Sequence, residues 1–321
     1  MDNLIYLLFV LLLFAGYLAY FVIARRFQIV DMPNHRTMHD GATIRGGGVV
    51  LFLGMAVGAM GMDDIGLWFL GGLIIIALTG FLDDMYNLSG KIRLPLQVLS
   101  VLCIFLELEL FGIGFFILFF AIVVAAGTLN AYNFMDGING MTGGYSLVVV
   151  GTLLYVNGFM YEFIDNSFLV FFTLALLVFS FYNFRKKAVC FAGDVGSLSI
   201  AFIVVYLLIR LIADTHQFVY ILLLTVYGID TIFTIVQRIA RKENIFDAHR
   251  LHLFQVIVSK TKMPHLRMSL IYMVIQLLVN VILLSMLPLP QHLQVLGSIG
   301  LLLVLSVIYI VIKKKMMPTS N

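Results

Sequence analysis

Residues 4–24, LIYLLFVLLLFAGYLAYFVIA, run without a charge into Arg25-Arg26. A helix rising 1.5 Å per residue needs about 20 apolar residues to cross a bilayer's hydrocarbon, and this run supplies them. Its leading end carries Asp2 instead of a basic residue, and no small-residue cleavage pattern follows it. It therefore reads as a retained first membrane helix and not as a removed signal peptide.

Ten further apolar runs follow, near 44–62, 65–82, 95–111, 114–130, 142–160, 166–184, 195–212, 217–237, 268–287 and 293–312. The expected fold is an all-α polytopic membrane protein of about 11 transmembrane helices. It forms a single domain over residues 1–321, with no internal repeat or linker. Composition agrees: 62% of the 321 residues are hydrophobic, 12% are charged, and mean hydropathy is +1.06. Soluble domains average about 45–50% apolar and about 25% charged, which excludes an ordinary water-soluble enzyme. A net charge of +3 argues against nucleic acid held by bulk charge. Cys103 and Cys190 lie in separate apolar neighbourhoods and offer no disulfide framework.

The charges sort by side. Alternate connections carry 19 of the 20 Lys and Arg residues, only Arg210 lying toward the other side. The opposite connections are short and acidic, with Asp63, Asp64, Glu107, Glu109, Glu162, Asp165 and Asp214. The positive-inside rule then places the amino terminus outside and the carboxyl terminus in the cytoplasm. Function is expected on the cytoplasmic face, where the longest polar connection (residues 237–267) also lies.

Four polar clusters fall on that face. Asp83 and Asp84 end an apolar helix, ahead of Lys91 and Gln97. Adjacent carboxylates near hydrocarbon call for a metal, a cationic partner or a wet cleft, with a solvated helix end as the plain alternative. Asn130, Asn133 and Asp136 recur every third residue on one helix face, before Gly137, Asn139 and Gly140. Such oxygen and amide groups suit Mg²⁺ and nucleotides, or helix-to-helix hydrogen bonds. Asp194 sits between Gly193 and Gly196 at the start of an apolar run, where it can cap a helix or hold a metal beside phosphate-binding N–H groups. His249, Arg250 and His252 suit a diphosphate or sugar. Pairing His249 and His252 with His35 and His39 as a zinc site is a weaker alternative. Upstream, Asp31, Pro33, Arg36 and His39 precede Arg45 and three glycines, 46–48. Basic residues followed by three glycines opening a helix look able to admit an anionic group, with a positive-inside flank as the plain alternative that explains these arginines without chemistry. Asp230, well inside the ninth span, either bonds a neighbouring helix or faces a cleft.

As a set these motifs resemble the polyprenyl-phosphate N-acetylhexosamine-1-phosphate transferases, glycosyltransferase family 4. The resemblance rests on Asp31-x-Pro33 with Arg36, His39, Gly47 and Gly48, and on Asp83-Asp84 with Lys91 and Gln97. It also rests on Asn-x-x-Asn-x-x-Asp-Gly-x-x-Gly over residues 130–140 and Phe-x-Gly-Asp-x-Gly-Ser over residues 191–197. It implies a multi-pass enzyme of the bacterial inner membrane that starts lipid-linked surface glycans such as O-antigen, lipopolysaccharide or cell-wall units. Its partners would be membrane lipid, undecaprenyl phosphate and a UDP-N-acetylhexosamine, with UMP released, and a homodimer is compatible. Mg²⁺ would be the cofactor, with Mn²⁺ as a substitute. The implied ligands of the metal are Asn133 and Asp194. Phe191 would stack on uracil near Asn139; Arg36, His39 and Asn130 would also bind substrate. Lys91 and Arg250 would neutralise phosphates, His249 and His252 would contact phosphate or sugar, Asp83 and Asp84 would position or deprotonate the lipid phosphate, and Asp136 would be catalytic beside them. The segment ending in His249-Arg250-Leu-His252 is not the His-rich run of the GlcNAc transferases of enterobacterial type. It is closer to relatives that use other N-acetylated sugars, including 6-deoxy ones. A muramoyl-pentapeptide branch, with its His-His-His segment, is not matched. A secondary transporter is the rival class, but its site would sit at the midplane, whereas these charges sit at span ends.

Overall fold

The computed structural model describes residues 2–31, 42–244 and 250–317. Helices dominate it: α1 (Asp2–Arg26), α2 (Gly48–Met60), α3 (Leu67–Tyr86), α4 (Gly90–Glu107), α5 (Phe115–Met135), α6 (Met141–Phe159), α7 (Asn166–Asn183) and α8 (Gly193–Thr215). After a 3₁₀ stretch at Phe218–Leu224 come α9 (Thr225–Ala240), α10 (Leu253–Thr261), α11 (His265–Met286) and α12 (Gln291–Met316). Two short antiparallel strands, β1 (Val30–Asp31) and β2 (Thr43–Ile44), link α1 to α2. Helices satisfy their backbone groups internally, which hydrocarbon demands because it offers no water to bond them.

Each expected apolar run is helical, and among the described residues eight helices are long and apolar enough to cross a membrane. The remaining three runs form α2, α4 and α6. Helix α2 has only 13 residues, about 20 Å of rise against about 30 Å of hydrocarbon. Helix α4 starts five residues before the expected run, drawing Lys91 and Arg93 into its first turn, with Pro95 inside it. Helix α6 carries Thr, Gly, Tyr and Asn among its apolar residues.

Helix α8 is the axis. Its most apolar stretch is 83% buried, against 6% for α12, and α3, α5 and α2 pack around it. Polar side chains join the outer helices. Gln276 of α11, fully buried, accepts from Tyr145 of α6 at 2.8 Å and donates to Asn280 at 2.7 Å. Asn280 in turn donates to Thr152 at 2.8 Å. Hydrogen bonds of this kind hold helices together where apolar surface alone gives no preference for helix over lipid.

Contacts also sort the connections into two ends. At one end Arg210 pairs with Asp64 at 2.6 Å, and Glu107 accepts the N–H groups of Gly66 and Phe69 at the start of α3. At the other end the basic connections and all described candidate residues gather. Exposed Leu67, Trp68, Phe115, Phe116, Phe159 and Phe218 rim the first end, as aromatic residues do where a membrane meets water.

Candidate active site

The site is built where α3 ends and α8 begins. Gly80 makes the approach possible, because a Cβ there would lie 2.5 Å from Val195 N and 2.6 Å from Asp194 O. One turn later Asp83 and Asp84 leave α3 about 100° apart and take different partners. Asp84, its side chain 2% exposed, accepts the N–H groups of Asp194 at 2.9 Å and Val195 at 3.2 Å, and so caps α8. It also pairs with Arg45 Nε at 2.7 Å. Asp83 pairs with Arg93 at 2.5 Å, and its carboxyl group hydrogen-bonds that of Asp194.

Backbone pairing brings in Arg45. Ile44 bridges to Cys190 in parallel, Phe191 N–H donates to Ile44 O, and Gly47 and Gly48 donate to Phe191 O and Ala192 O at 2.8 and 3.0 Å. Gly46 and Gly193 both hold positive φ, +73° and +69°, which glycine adopts without strain. A Cβ on Gly193 would lie 2.4 Å from Asp84 Oδ2. Arg45 consequently reaches both Asp84 and Asp194, the latter at 3.8 Å, where Arg93 also stands at 3.8 Å. Burial works against the charge of Arg45, but Asp84 and Asp194 outweigh it and raise its pKa. Cys190 beside them is a free, buried thiol, pushed up to about 12 by burial.

On α5, Asn130 donates to Gln97 Oε1 at 2.7 Å and to Ala126 O at 2.9 Å, a bond from α5 to α4. Asn133 is half-buried one turn further on. Asp136 ends α5 and accepts the Thr142 hydroxyl at 2.7 Å. Burial pushes its carboxyl up to about 6, with Thr142 opposing and Asp84 adding to the rise. Asn139, buried, donates to the carbonyls of Arg185 and Lys186. Phe191 is half-buried beside Gly47, and Lys91 is exposed at the start of α4. Arg250 is half-buried, and His252 is enclosed, with Nδ1 3.3 Å from Asp230. Arg36, His39 and His249 lie outside the described residues, as do Pro33 and His35.

The geometry thus joins Asp83, Asp84 and Asp194, with Asp136 near enough to feel Asp84 and Arg45. Two groups that sequence reasoning did not select, Arg45 and Arg93, complete it. Arg93 was visible only as a basic flank, and Arg45 as one of the basic residues before three glycines that could admit an anion. Among the described residues no three His, Cys, Asp or Glu side chains close on one point as a metal cage. The touching Asp83 and Asp194 carboxyls still fit Mg²⁺, which binds through one or two carboxylates together with substrate phosphates. Close carboxylates otherwise need a shared proton.

An apolar cleft of about 400 Å³ runs along α5. Ile117, Phe120, Val124 and Thr128 form one wall, facing Phe105, Val205 and Leu208. Its Thr128 end is eight residues, about 12 Å of helix, from Asp136.

Comparison with known proteins gives consistent matches. Residues 66–212 match the model of glycosyl transferase family 4. The chain is 28% identical over 278 residues to a probable undecaprenyl-phosphate N-acetylglucosaminyl 1-phosphate transferase of Bacillus subtilis (strain 168), covering 78% of this chain and 76% of that one. It is 27% identical over 263 residues to the undecaprenyl-phosphate alpha-N-acetylglucosaminyl 1-phosphate transferase of Escherichia coli (strain K12), covering 74% and 71%. The Yersinia pestis protein of the same description is 26% identical over 271 residues, covering 75% and 73%.

Proposed function

The chain carries a glycosyl transferase family 4 region at residues 66–212, and from it we propose a multi-pass membrane enzyme acting on undecaprenyl phosphate. It transfers an N-acetylhexosamine 1-phosphate from a UDP-sugar to the lipid at the cytoplasmic face of the inner membrane and releases UMP. The distribution of basic connections supports that orientation, with about eleven helices in the membrane, the amino terminus outside and the carboxyl terminus inside. The relatives' names supply the lipid and the sugar phosphate.

The observation that carries the reading is the Asp83–Asp194 carboxyl pair flanked by Arg45 and Arg93 at the start of α8. Two anionic substrates must meet for this reaction, and guanidinium forks with helix-start N–H groups offset phosphate repulsion. A lipid phosphate oxygen forms a bond to the phosphorus that bears the sugar. The bond from that phosphorus to the bridging oxygen breaks, and this oxygen leaves on UMP. Arg45 and Arg93 orient the diphosphate, with Lys91, Arg250, His249 and His252 around phosphate and sugar. Phe191 and Asn139 hold the uracil side, and Arg36, His39 and Asn130 belong to the substrate surface. Asp84 keeps α8 and Arg45 in place, while Asp83 and Asp136 face the lipid phosphate. Asp194 and Asn133, with Asp83 beside Asp194, would hold Mg²⁺ or, in its place, Mn²⁺, and the bound ion would neutralise charge on the diphosphate. The apolar cleft along α5 suits the prenyl chain. The donor is UDP-GlcNAc or a related UDP-N-acetylhexosamine, 6-deoxy sugars included, with the segment around His249-Arg250-Leu-His252 choosing among them.

The test uses purified protein, Mg²⁺, undecaprenyl phosphate and a panel of UDP-N-acetylhexosamines. Release of UMP with formation of a lipid diphospho-sugar is expected. No turnover with any donor, together with solute uptake in proteoliposomes, would replace the transferase by a transporter.

A further inference from the structure

Asp230 lies fully buried in α9, and groups from four elements converge on its carboxylate. The Leu253 N–H at the start of α10 donates to Oδ1 at 3.0 Å and Oδ2 at 3.2 Å. Tyr272 of α11 donates to Oδ2 at 2.7 Å, and Tyr309 of α12 donates to Oδ1 at 3.0 Å. Thr234 donates to Oδ1 at 3.3 Å, the same distance at which His252 presents Nδ1. Behind them Lys313 of α12, itself buried, donates from Nζ to Tyr309 Oη at 2.7 Å and to Thr234 Oγ1 at 2.9 Å. The chain of donors therefore runs in one sense, from the ammonium through two hydroxyls into the carboxylate.

Two features give this cluster more than a packing role. First, α12 is otherwise scarcely buried, enclosing only Gln294, Tyr309 and Lys313. Its inner end is committed to Asp230. Second, Asp230 reaches both the His252 ring and the first N–H of α10. His252 is also the N-cap residue of α10, and its backbone N–H donates to Gln255 Oε1 at 3.3 Å. Ring orientation and helix start are thus fixed by one carboxylate. The ring nitrogen turned away from Asp230 is Nε2. A carboxylate bonded to one imidazole nitrogen sets the ring's tautomer and aim.

We propose that Asp230, backed by Tyr309 and Lys313 of the last helix, is a positioning residue that aims His252 and the start of α10 at the substrates. This rests on the transferase reading, in which His252 meets phosphate or sugar. The last helix is then a working part of the site, and its inner end carries the support for a loop some sixty residues earlier in the chain.

The experiment measures kcat and KM for wild type, Tyr309→Phe and Lys313→Met, alone and combined with His252→Ala. Tyr309→Phe removes one hydroxyl and leaves the ring, so folding is preserved. Each single change is expected to lower kcat roughly 10-fold with KM nearly constant, as loss of a hydrogen bond to a charged group does. In the His252→Ala background neither change should lower kcat further, and Lys313→Arg should restore part of the loss. Unchanged kcat, or a fall that adds in full to that of His252→Ala, would overturn the proposal. Amide exchange over residues 250–256 gives a second readout that needs no substrate. It should quicken in Tyr309→Phe, and unchanged exchange would overturn the proposal too. A wild-type preparation that turns over no UDP-sugar removes the transferase reading alone, since the exchange result still decides whether Asp230 holds this segment.

Discussion

Asp84 caps the helix that Asp194 begins: the carboxylate accepts the Asp194 N–H at 2.9 Å although the two residues stand 110 positions apart. The same carboxylate pairs with Arg45, so three connections depend on one side chain. Asp84→Ala should destabilise the protein by about 1–2 kcal/mol, since it takes the nearer partner from the half-buried Arg45 and leaves the start of α8 uncapped. Asp84→Asn keeps an acceptor for one N–H and should recover part of that loss. Thermal unfolding in detergent with chelator present checks both, and an Asp84→Ala protein as stable as wild type would refute the capping role.

Gly48 and Gly196 set how closely α2 meets α8. A Cβ on Gly48 would fall 2.0 Å from Gly196 Cα and 2.5 Å from its nitrogen, and neither backbone can retreat. Gly48→Ala should abolish the folded protein in detergent. Gly71 of α3 has nothing within 4 Å of its would-be Cβ. Gly71→Ala should raise stability by about 0.5–1 kcal/mol. Size-exclusion recovery and unfolding midpoints distinguish the two, and equal behaviour would mean the contact is not limiting.

Metal dependence is read most directly by binding. Mg²⁺ should raise the unfolding midpoint of wild type and leave that of Asp194→Ala unmoved, because only a ligand of the folded state shifts the equilibrium. Chelator should stop UMP release, and Asp194→Ala should lower turnover by roughly 100-fold or more. Full turnover in chelator would remove the metal from the reaction.

Asn130 and Gln97 form the α5–α4 bond at 2.7 Å. A double-mutant cycle with alanine at each should give a coupling of about 1 kcal/mol in unfolding free energy. A change in donor KM for Asn130→Ala but not for Gln97→Ala would show a substrate contact in addition to the helix bond. Zero coupling would show that the bond contributes nothing.

Donor choice is expected to reside in residues 244–258. Exchanging them for the segment of a GlcNAc-specific relative should shift the preferred UDP-sugar, and an unchanged panel would locate the preference elsewhere.

Apolar runs announced the helices because hydrocarbon length imposes a count that sequence shows directly. Their ends were less legible. Helix α4 captured Lys91 and Arg93 although both look like loop charges, since the basic side chain of Arg93 finds Asp83 only once α3 and α4 are antiparallel. Arg45 reads as a positive-inside flank for the same reason: its partners, Asp84 and Asp194, depend on backbone pairing between residues 44–48 and 190–192 that leaves no local pattern. The adjacent Asp83 and Asp84 suggest mutual repulsion, yet helical geometry sends them to different cations. Asn130 looks like a ligand and bonds a neighbouring helix as well, which spacing along one face cannot distinguish. Asp230 does what its depth suggested, bonding neighbouring helices, and the number of its partners follows from packing alone.

Helix α8 carries Asp194 and is enclosed for 83% of its apolar length. Lipid therefore presses on the outer helices and scarcely touches the one that bears the candidate metal ligand. A thicker or thinner bilayer, with its mismatch absorbed by tilt at the rim, would strain α1 and α12 while leaving the carboxyl pair at its spacing. The carboxyl pair is thus insulated from the changing composition of the bilayer, whereas the support that Tyr309 and Lys313 of α12 give Asp230 is exposed to it.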